Sequence, residues 1–174
     1  MNFSSAQCIG VNSSFTIDQT FFCGTGPFNL NFTNTTTGST PGSTSFEWFE
    51  DGISFDNTSN VGQSTTTSIT TPGTYSFMLV ADDTDEGCTD TSYVSVTIAP
   101  TPISNFTFTP DGGCAYSDVD FTNTSSGTFG GTSYSWNFGD GNTSTSPNPS
   151  NAYSAGGTYN VTLVVNNGPG CTSS

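Results

Sequence analysis

Where apolar residues gather in this chain they keep a period of two. Phe28, Leu30 and Phe32 share one phase, with Asn29, Asn31 and Thr33 on the other. Tyr75, Phe77, Leu79 and Ala81 alternate with Ser76, Met78 and Val80, and Val94, Val96 and Ile98 with Ser95 and Thr97. Further on, Val119 and Phe121, then Tyr159, Val161, Leu163 and Val165, repeat the pattern. Side chains on a strand point alternately to its two faces, so the spacing predicts half-buried strands. Helix has little support from three Leu and six Ala, whereas Phe, Val, Tyr and 32 Thr favour strand. Leu, Ile, Val and Phe together are only 33 of 174 residues, close to the composition of disordered chains. Aromatic residues, 13 % of the chain, compensate, because a few large rings cover much core.

The pattern occurs twice. Phe15 precedes Cys23 by the same eight residues that separate Phe106 from Cys114. Phe32-Thr33-Asn34-Thr35 matches Phe121-Thr122-Asn123-Thr124. Phe46-Glu47-Trp48 matches Tyr134-Ser135-Trp136, and Asp51-Gly52 matches Asp140-Gly141. Gly73-Thr74-Tyr75 matches Gly157-Thr158-Tyr159, and Gly87-Cys88-Thr89 matches Gly170-Cys171-Thr172. The expected organisation is a segment 1–13, a module 14–100 and a module 101–174, joined at Ala99-Pro100-Thr101-Pro102. Short strands separated by Gly, Asn, Asp and Pro predict an all-β fold of two tandem antiparallel sandwiches. Trp48 and Trp136 are the expected centres of the cores, with Tyr75 and Tyr159 beside them.

Charge removes most functions. The chain has no Lys, Arg or His against 14 acidic residues, for a formal charge of −14. Nothing neutralises phosphates, so nucleic acid is not an expected partner. No imidazole or amine is present for a catalytic couple, a Schiff base or a phosphate loop, and the chain reads as non-enzymatic. No run approaches the ~20 apolar residues of a membrane span, so no membrane insertion is expected.

Trp136-Asn137-Phe138-Gly139-Asp140-Gly141, followed by Pro147, Tyr153 and Gly157-Thr158-Tyr159-Asn160-Val161, resembles a PKD domain. Module 1, with Trp48-Phe49-Glu50-Asp51-Gly52, resembles a divergent relative. The resemblance implies an immunoglobulin-like sandwich, a secreted or cell-surface setting and no catalysis. Such domains serve as spacers, adhesin repeats or carbohydrate-associated modules.

Five cysteines in so thin-cored a chain point to an oxidising, extracellular compartment. The duplication suggests Cys23–Cys88 and Cys114–Cys171 bridges, each closing a loop of about 60 residues and contributing about 2–4 kcal/mol. Cys8 is left over, either free or bonded to another chain. Asp82, Asp83, Asp85, Glu86 and Asp90 form an acidic run. Calcium there is the minor reading against a solvated loop, because the spacing is not that of an EF-hand. No cofactor is expected. Nine sequons, at Asn2, Asn12, Asn31, Asn34, Asn57, Asn105, Asn123, Asn142 and Asn160, exceed the about five that chance allows for 16 Asn in a chain one-third Ser and Thr. Asn31, Asn105 and Asn160 fall on the polar phase of their strands, where covalent glycans would face water.

Module 2 ends three residues after Cys171, whereas module 1 continues past Cys88 into Val94–Ile98, so the second sandwich is expected to lack its last strand. Residues 1–13 have no evident place in module 1. Set head to tail, a following copy puts Phe15 at the same 18-residue distance from Cys171 that Phe106 keeps from Cys88, with Phe3 in the place of Val94. Two explanations fit. The chain is an excerpt of a longer array, or the stretch of about Met1–Val11 completes module 2 of another copy. The resulting reading is a glycosylated structural repeat of a filament or adhesin stalk. The alternative is a carbohydrate-associated accessory module of a secreted hydrolase, for which Phe21, Phe22 and Phe129, off the strand phases, are the candidate platform.

Overall fold

The structure is a computed structural model that describes residues 10–39, 42–58, 60–109 and 118–174. All its regular elements are strands: β1 (Phe15–Ile17), β2 (Phe21–Cys23), β3 (Phe28–Asn34), β4 (Thr44–Glu50), β5 (Ile53–Asp56), β6 (Ser64–Ile69), β7 (Gly73–Asp83), β8 (Cys88–Ala99), β9 (Phe106–Thr109), β10 (Asp118–Asn123), β11 (Ser133–Asn137), β12 (Thr143–Ser144), β13 (Ser150–Ala152), β14 (Thr162–Asn166) and β15 (Thr172–Ser173). Two compact units result. One holds the chain up to Phe22 together with Gly26–Ile98; the other holds Cys23–Thr25 and Ala99–Ser174.

The first unit sets a sheet ordered β1-β3-β6 against one ordered β2-β8-β7-β4-β5. The second sets β13-β10-β9 against β12-β11-β14-β15. The strand pairs are antiparallel, and each unit is an immunoglobulin-like sandwich. Asp51 and Gly52, at φ 47° and 83°, form the tight turn of the β4–β5 hairpin, a conformation that few residues other than Gly, Asn or Asp adopt readily.

Three rings anchor each core, and the duplication preserves their geometry. Phe15, Phe32 and Trp48 lie 6.0, 5.6 and 5.1 Å apart around the triangle. Phe106, Phe121 and Trp136 lie 6.0, 5.6 and 5.1 Å apart in the same order. Trp48 and Trp136 are fully buried. This is how a chain with three Leu builds two cores: offset and edge-on aromatic contacts replace aliphatic packing. Tyr75 is half-buried and packs against the first core, whereas Tyr159 is a correction, stacking on Tyr153 rather than joining the second core. Each sends its hydroxyl to a carbonyl four residues back, Tyr75 to Thr71 at 2.9 Å and Tyr159 to Ala155 at 2.8 Å, and each therefore needs its oxygen near the surface.

The N-terminal segment is also corrected where it is described. Val11 is buried in the first core, Asn12 bridges Thr37, and the buried Ser13 donates to the Leu79 carbonyl at 3.1 Å. The second unit repeats each feature 91 residues later: Pro102 is buried, Ile103 bridges Ser126, and Ser104 donates to the Leu163 carbonyl at 2.7 Å. Val11–Ser13 thus open the first sandwich as Pro102–Ser104 open the second. Residues 1–9 lie outside the described residues.

A second difference concerns the strand predicted through Tyr159 and Val161. In the first unit β7 pairs with β8 over its whole length, from Gly73↔Ile98 to Asp83↔Cys88. In the second, β15 pairs with β14 only at Val165↔Ser173 and Asn166↔Thr172. Residues 157–161 are irregular: their counterparts Gly73–Ser76 lie beyond the reach of β4 and are held as strand by the ladder with β8 alone, which has no equivalent there among the described residues.

Candidate functional site

The cysteines do not pair as the duplication suggested. Cys23 is bonded to Cys171, 148 residues away, within the second unit. The Gly24 amide donates to the Ala99 carbonyl at 3.0 Å, which brings the end of β2 to the start of the second unit. Cys171 is fully buried and its sulfur lies 3.4 Å from the Pro100 carbonyl. Cys88 is disulfide-bonded as well, but not to Cys23. Equivalent sequence positions misled because Cys23–Thr25 belong to the second unit rather than to the one whose sequence surrounds them. Cys8 and Cys114 lie outside the described residues.

A buried polar hub sits at the end of the long strand in each unit. Asp83 accepts a hydrogen bond from the Thr44 hydroxyl at 3.0 Å and from the Asp85 and Glu86 amides at 3.1 and 3.3 Å. At the matching position Asn167 accepts from the Thr132 hydroxyl at 2.6 Å and donates to the carbonyls of Pro100 and Gly127, both at 2.8 Å. The carboxylate accepts at both oxygens, while the amide also donates, so only Asn167 clasps carbonyls. Sequence reasoning missed Asn167. Equating Leu79 with Leu163 sets it opposite Asp83. The acidic run around Asp83 makes no metal cage. Asp82 accepts from Thr89 at 2.8 Å, Asp85 from the Ser43 hydroxyl, and Asp90 from the Ser13 amide at 2.8 Å. Among the described residues no three Cys, Asp or Glu side chains converge on one point.

The Gly-Asp-Gly turn of the second unit is a closed network. Asp140 takes the Asn142 amide at 2.9 Å, and its other oxygen takes the Asn142 and Asn151 side-chain amides at 3.0 and 2.9 Å. The Asn151 hydrogen bond holds the Asp140 carboxyl below its ordinary range. Beside it Tyr153 donates to the Phe138 carbonyl at 3.2 Å, and burial raises its phenol. Trp136 sends its indole N–H to the Ser146 carbonyl at 2.9 Å. These contacts account for the Trp-Asn-Phe-Gly-Asp-Gly run as architecture, with Asp140 engaged at both of its oxygens.

The sequons separate into three groups. Asn34 is fully buried, and its side-chain oxygen accepts the Thr36 amide at 3.0 Å; Asn123 accepts the Ser125 amide at 3.0 Å in the same turn. The hydroxyl residue that completes each of these sequons is the one whose backbone closes the turn, so turn chemistry explains both. Asn142 is tied to Asp140 and Asn151. Asn12, Asn31, Asn57, Asn105 and Asn160 are exposed, with Asn31 donating to Asp18 at 3.1 Å. Asn2 lies outside the described residues.

No aromatic platform forms from the expected residues. Phe21, Phe22 and Phe129 are half-buried, and Phe22 packs on Phe28 with ring centres 5.2 Å apart. A cleft of ≈ 200 Å³ in the first unit is floored by Ile17, Phe22 and Leu30 and rimmed by Asp18, Gln19 and Asn31. Its single carboxylate offers no acid–base pair. Among the described residues no helix is long and apolar enough to cross a membrane.

Among curated proteins, none matches the chain. Modules described as fibronectin(III)-like, from CbhA of Clostridium thermocellum, are 16 % identical over 92 % of this chain and 90 % of theirs, with a TM-score of 0.43. A fragment of the titin I-band is 10 % identical over 80 % of this chain and 50 % of its own, with a TM-score of 0.46. The three N-terminal domains of the outer capsid protein Hoc of bacteriophage RB49 are 18 % identical over 90 % and 53 %, with a TM-score of 0.34. Likeness at this level bears on no function. The family comparison is sharper: residues 100–174, the stretch that holds the Gly-Asp-Gly network, the buried Trp136 and Cys171, match the model of the PKD domain.

Proposed function

We propose that the chain is a non-catalytic structural repeat of an extracellular filament or adhesin stalk, assembled head to tail by strand complementation and carrying covalent glycans. The observation that carries this reading is the unequal edge of the two long strands. All of β7 is covered by β8, whereas among the described residues Thr162–Val164 of β14 have a strand on one side only. A strand side that no neighbouring strand pairs is a template for strand addition, with the Ser104 side chain already set against it at the Leu163 carbonyl. The 91-residue offset that equates Val11–Ser13 with Pro102–Ser104 also equates residues 1–10 with 92–101, the second half of β8 and the connector. The stretch ahead of Val11 in another copy has the matching register and is the donor in this reading, with Phe3 in the place of Val94. A disulfide and a PKD match agree with an extracellular setting. Asn12, Asn31, Asn57, Asn105 and Asn160 are the glycan positions, because their side chains are exposed.

Removal of residues 1–10 tests the assembly. Sedimentation and negative-stain microscopy should show polymers of the full chain and monomers of the shortened one. Polymers from the shortened chain, or a full chain that stays monomeric at high concentration, would sink the strand-complementation reading. Native material with the bare mass of 18.1 kDa would remove the glycans.

A further inference from the structure

The outward face of the sheet β2-β8-β7-β4-β5 carries a feature that the fold does not require, and the second unit shows this. Trp48, Leu79 and Val96 point into the first core, so Phe49, Met78 and Tyr93 stand on the opposite face. Phe49 is paired with Met78, and Met78 with Tyr93, giving one continuous row across β4, β7 and β8. Tyr93 is 65 % exposed. In the second unit the residues matching Phe49 and Met78 are Asn137 and Thr162, paired in the same register. One scaffold thus folds with either an apolar or a polar row, so the apolar row is not a folding requirement.

The neighbouring rows differ in charge. Next to the apolar row run Glu47, Val80 and Thr91, and beyond them Ser45, Asp82 and Thr89. The matching residues in the second unit are Ser135 and Val164, then Ser133 and Asn166, with no charge among them. Ten of the 14 acidic residues fall within 14–100, and the chain has no cationic side chain with which to pair any of them.

We infer that this face docks a cationic, strand-forming segment of a different protein. An apolar side chain of that segment covers Met78 and Tyr93, and Lys or Arg two and four positions away meet Glu47 and Asp82 in turn. Successive residues on one side of a strand are about 6–7 Å apart, the spacing between these rows. A second copy of the chain is the wrong occupant, because it has no positive charge to offer.

The probe is a synthetic peptide with Phe at one position, Lys two and four positions on and Thr at the intervening positions, so that Phe and Lys share one face, titrated calorimetrically into the full chain at low and at physiological salt. Binding should weaken as salt rises, since both carboxylates are only half-buried and remain open to screening. F49N/M78T/Y93S should bind at least tenfold more weakly at unchanged net charge. E47S/D82N should do the same with the apolar row intact. Four of these five substitutions install the residue that the second unit already carries at that place, and thermal melts confirm that each variant folds. A peptide with Ser in place of Lys should not bind measurably. The inference falls if F49N/M78T/Y93S binds as the parent does, which would leave only diffuse attraction to a polyanion. It falls equally if the Ser peptide or a neutral β-glucan hexasaccharide binds this face as well as the Lys peptide. A self-associated chain that F49N/M78T/Y93S converts to monomer would also overturn it.

Discussion

Replacing Cys23 and Cys171 together with serine probes how the second unit is held. The bridge joins residues 148 apart, so its loss releases a long loop in the unfolded chain. The chain-entropy relation for a loop of that length gives about 5 kcal/mol, and measured bridges usually return about 2–4 kcal/mol. A domain of fewer than 100 residues loses roughly 4–8 °C of melting temperature per kcal/mol, so a fall of roughly 10–25 °C is expected in the transition of the second unit. Calorimetry reads that shift. Linkage is read separately, because a loop of about 60 residues would give a cost within 1 kcal/mol of this one. The chain has no Lys or Arg, so trypsin does not cut it. A Phe/Tyr-directed protease releases Cys23 on Cys23–Phe28 and Cys171 within Asn160–Ser174. These two peptides should travel as one until reduced. Recovery of Cys23–Phe28 joined to the peptide bearing Cys88, or an unchanged melt in the double variant, would refute the reasoning.

Three further outcomes are expected. Asn167→Leu removes hydrogen bonds to Thr132, Pro100 and Gly127 and should cost the second unit about 2–4 kcal/mol by urea unfolding; a loss under about 1 kcal/mol would show that water replaces the clasp. Trp136→Phe should cost about 2 kcal/mol more than Trp48→Phe, because Trp136 donates to Ser146 whereas the buried Trp48 N–H has no acceptor; equal costs would contradict this. The second unit should lose stability at both pH extremes. Tyr153 is raised on folding, so its contribution is complete below the ordinary phenol value of 10.0 and is lost as pH rises through the folded one. Asp140 is lowered, so its contribution is present above the ordinary value of 3.8 and is lost as pH falls through the folded one. Melts across the pH range should flatten on the alkaline side in Tyr153→Phe and on the acid side in Asp140→Asn, and a profile unchanged in both would be inconsistent with these shifts.

The duplication was the most informative part of the sequence, and its limits are physical. The equivalence of Phe15 with Phe106 stopped short of the preceding residues, where Val11-Asn12-Ser13 and Pro102-Ile103-Ser104 share only the serine. Their likeness lies in backbone bridges and in a hydroxyl capping a leucine carbonyl, which many residue pairs provide without resembling one another. Two of the sequons, at Asn34 and Asn123, mislead for the opposite reason. Asn followed two positions later by Ser or Thr is both a glycosylation signal and a good Asx turn, and the burial of Asn34 separates the two. Asn167 was passed over because a polar residue at a strand end normally reads as solvated.

The sequence by itself determined the strands, the two modules and the central tryptophans, because alternation, turn residues and aromatic spacing are local properties of a chain. It also settled that these 174 residues supply no imidazole, Lys amine or guanidinium side chain, since composition needs no coordinates. Only the tertiary structure decided which cysteine meets which. Cys23 lies in the first half of the sequence but packs with the second unit, and neither spacing nor symmetry encodes that crossing. The same holds for the long strand of the second module: Gly157–Val161 has the alternation of β7, yet it is irregular because a strand exists only where a neighbour completes its hydrogen bonds.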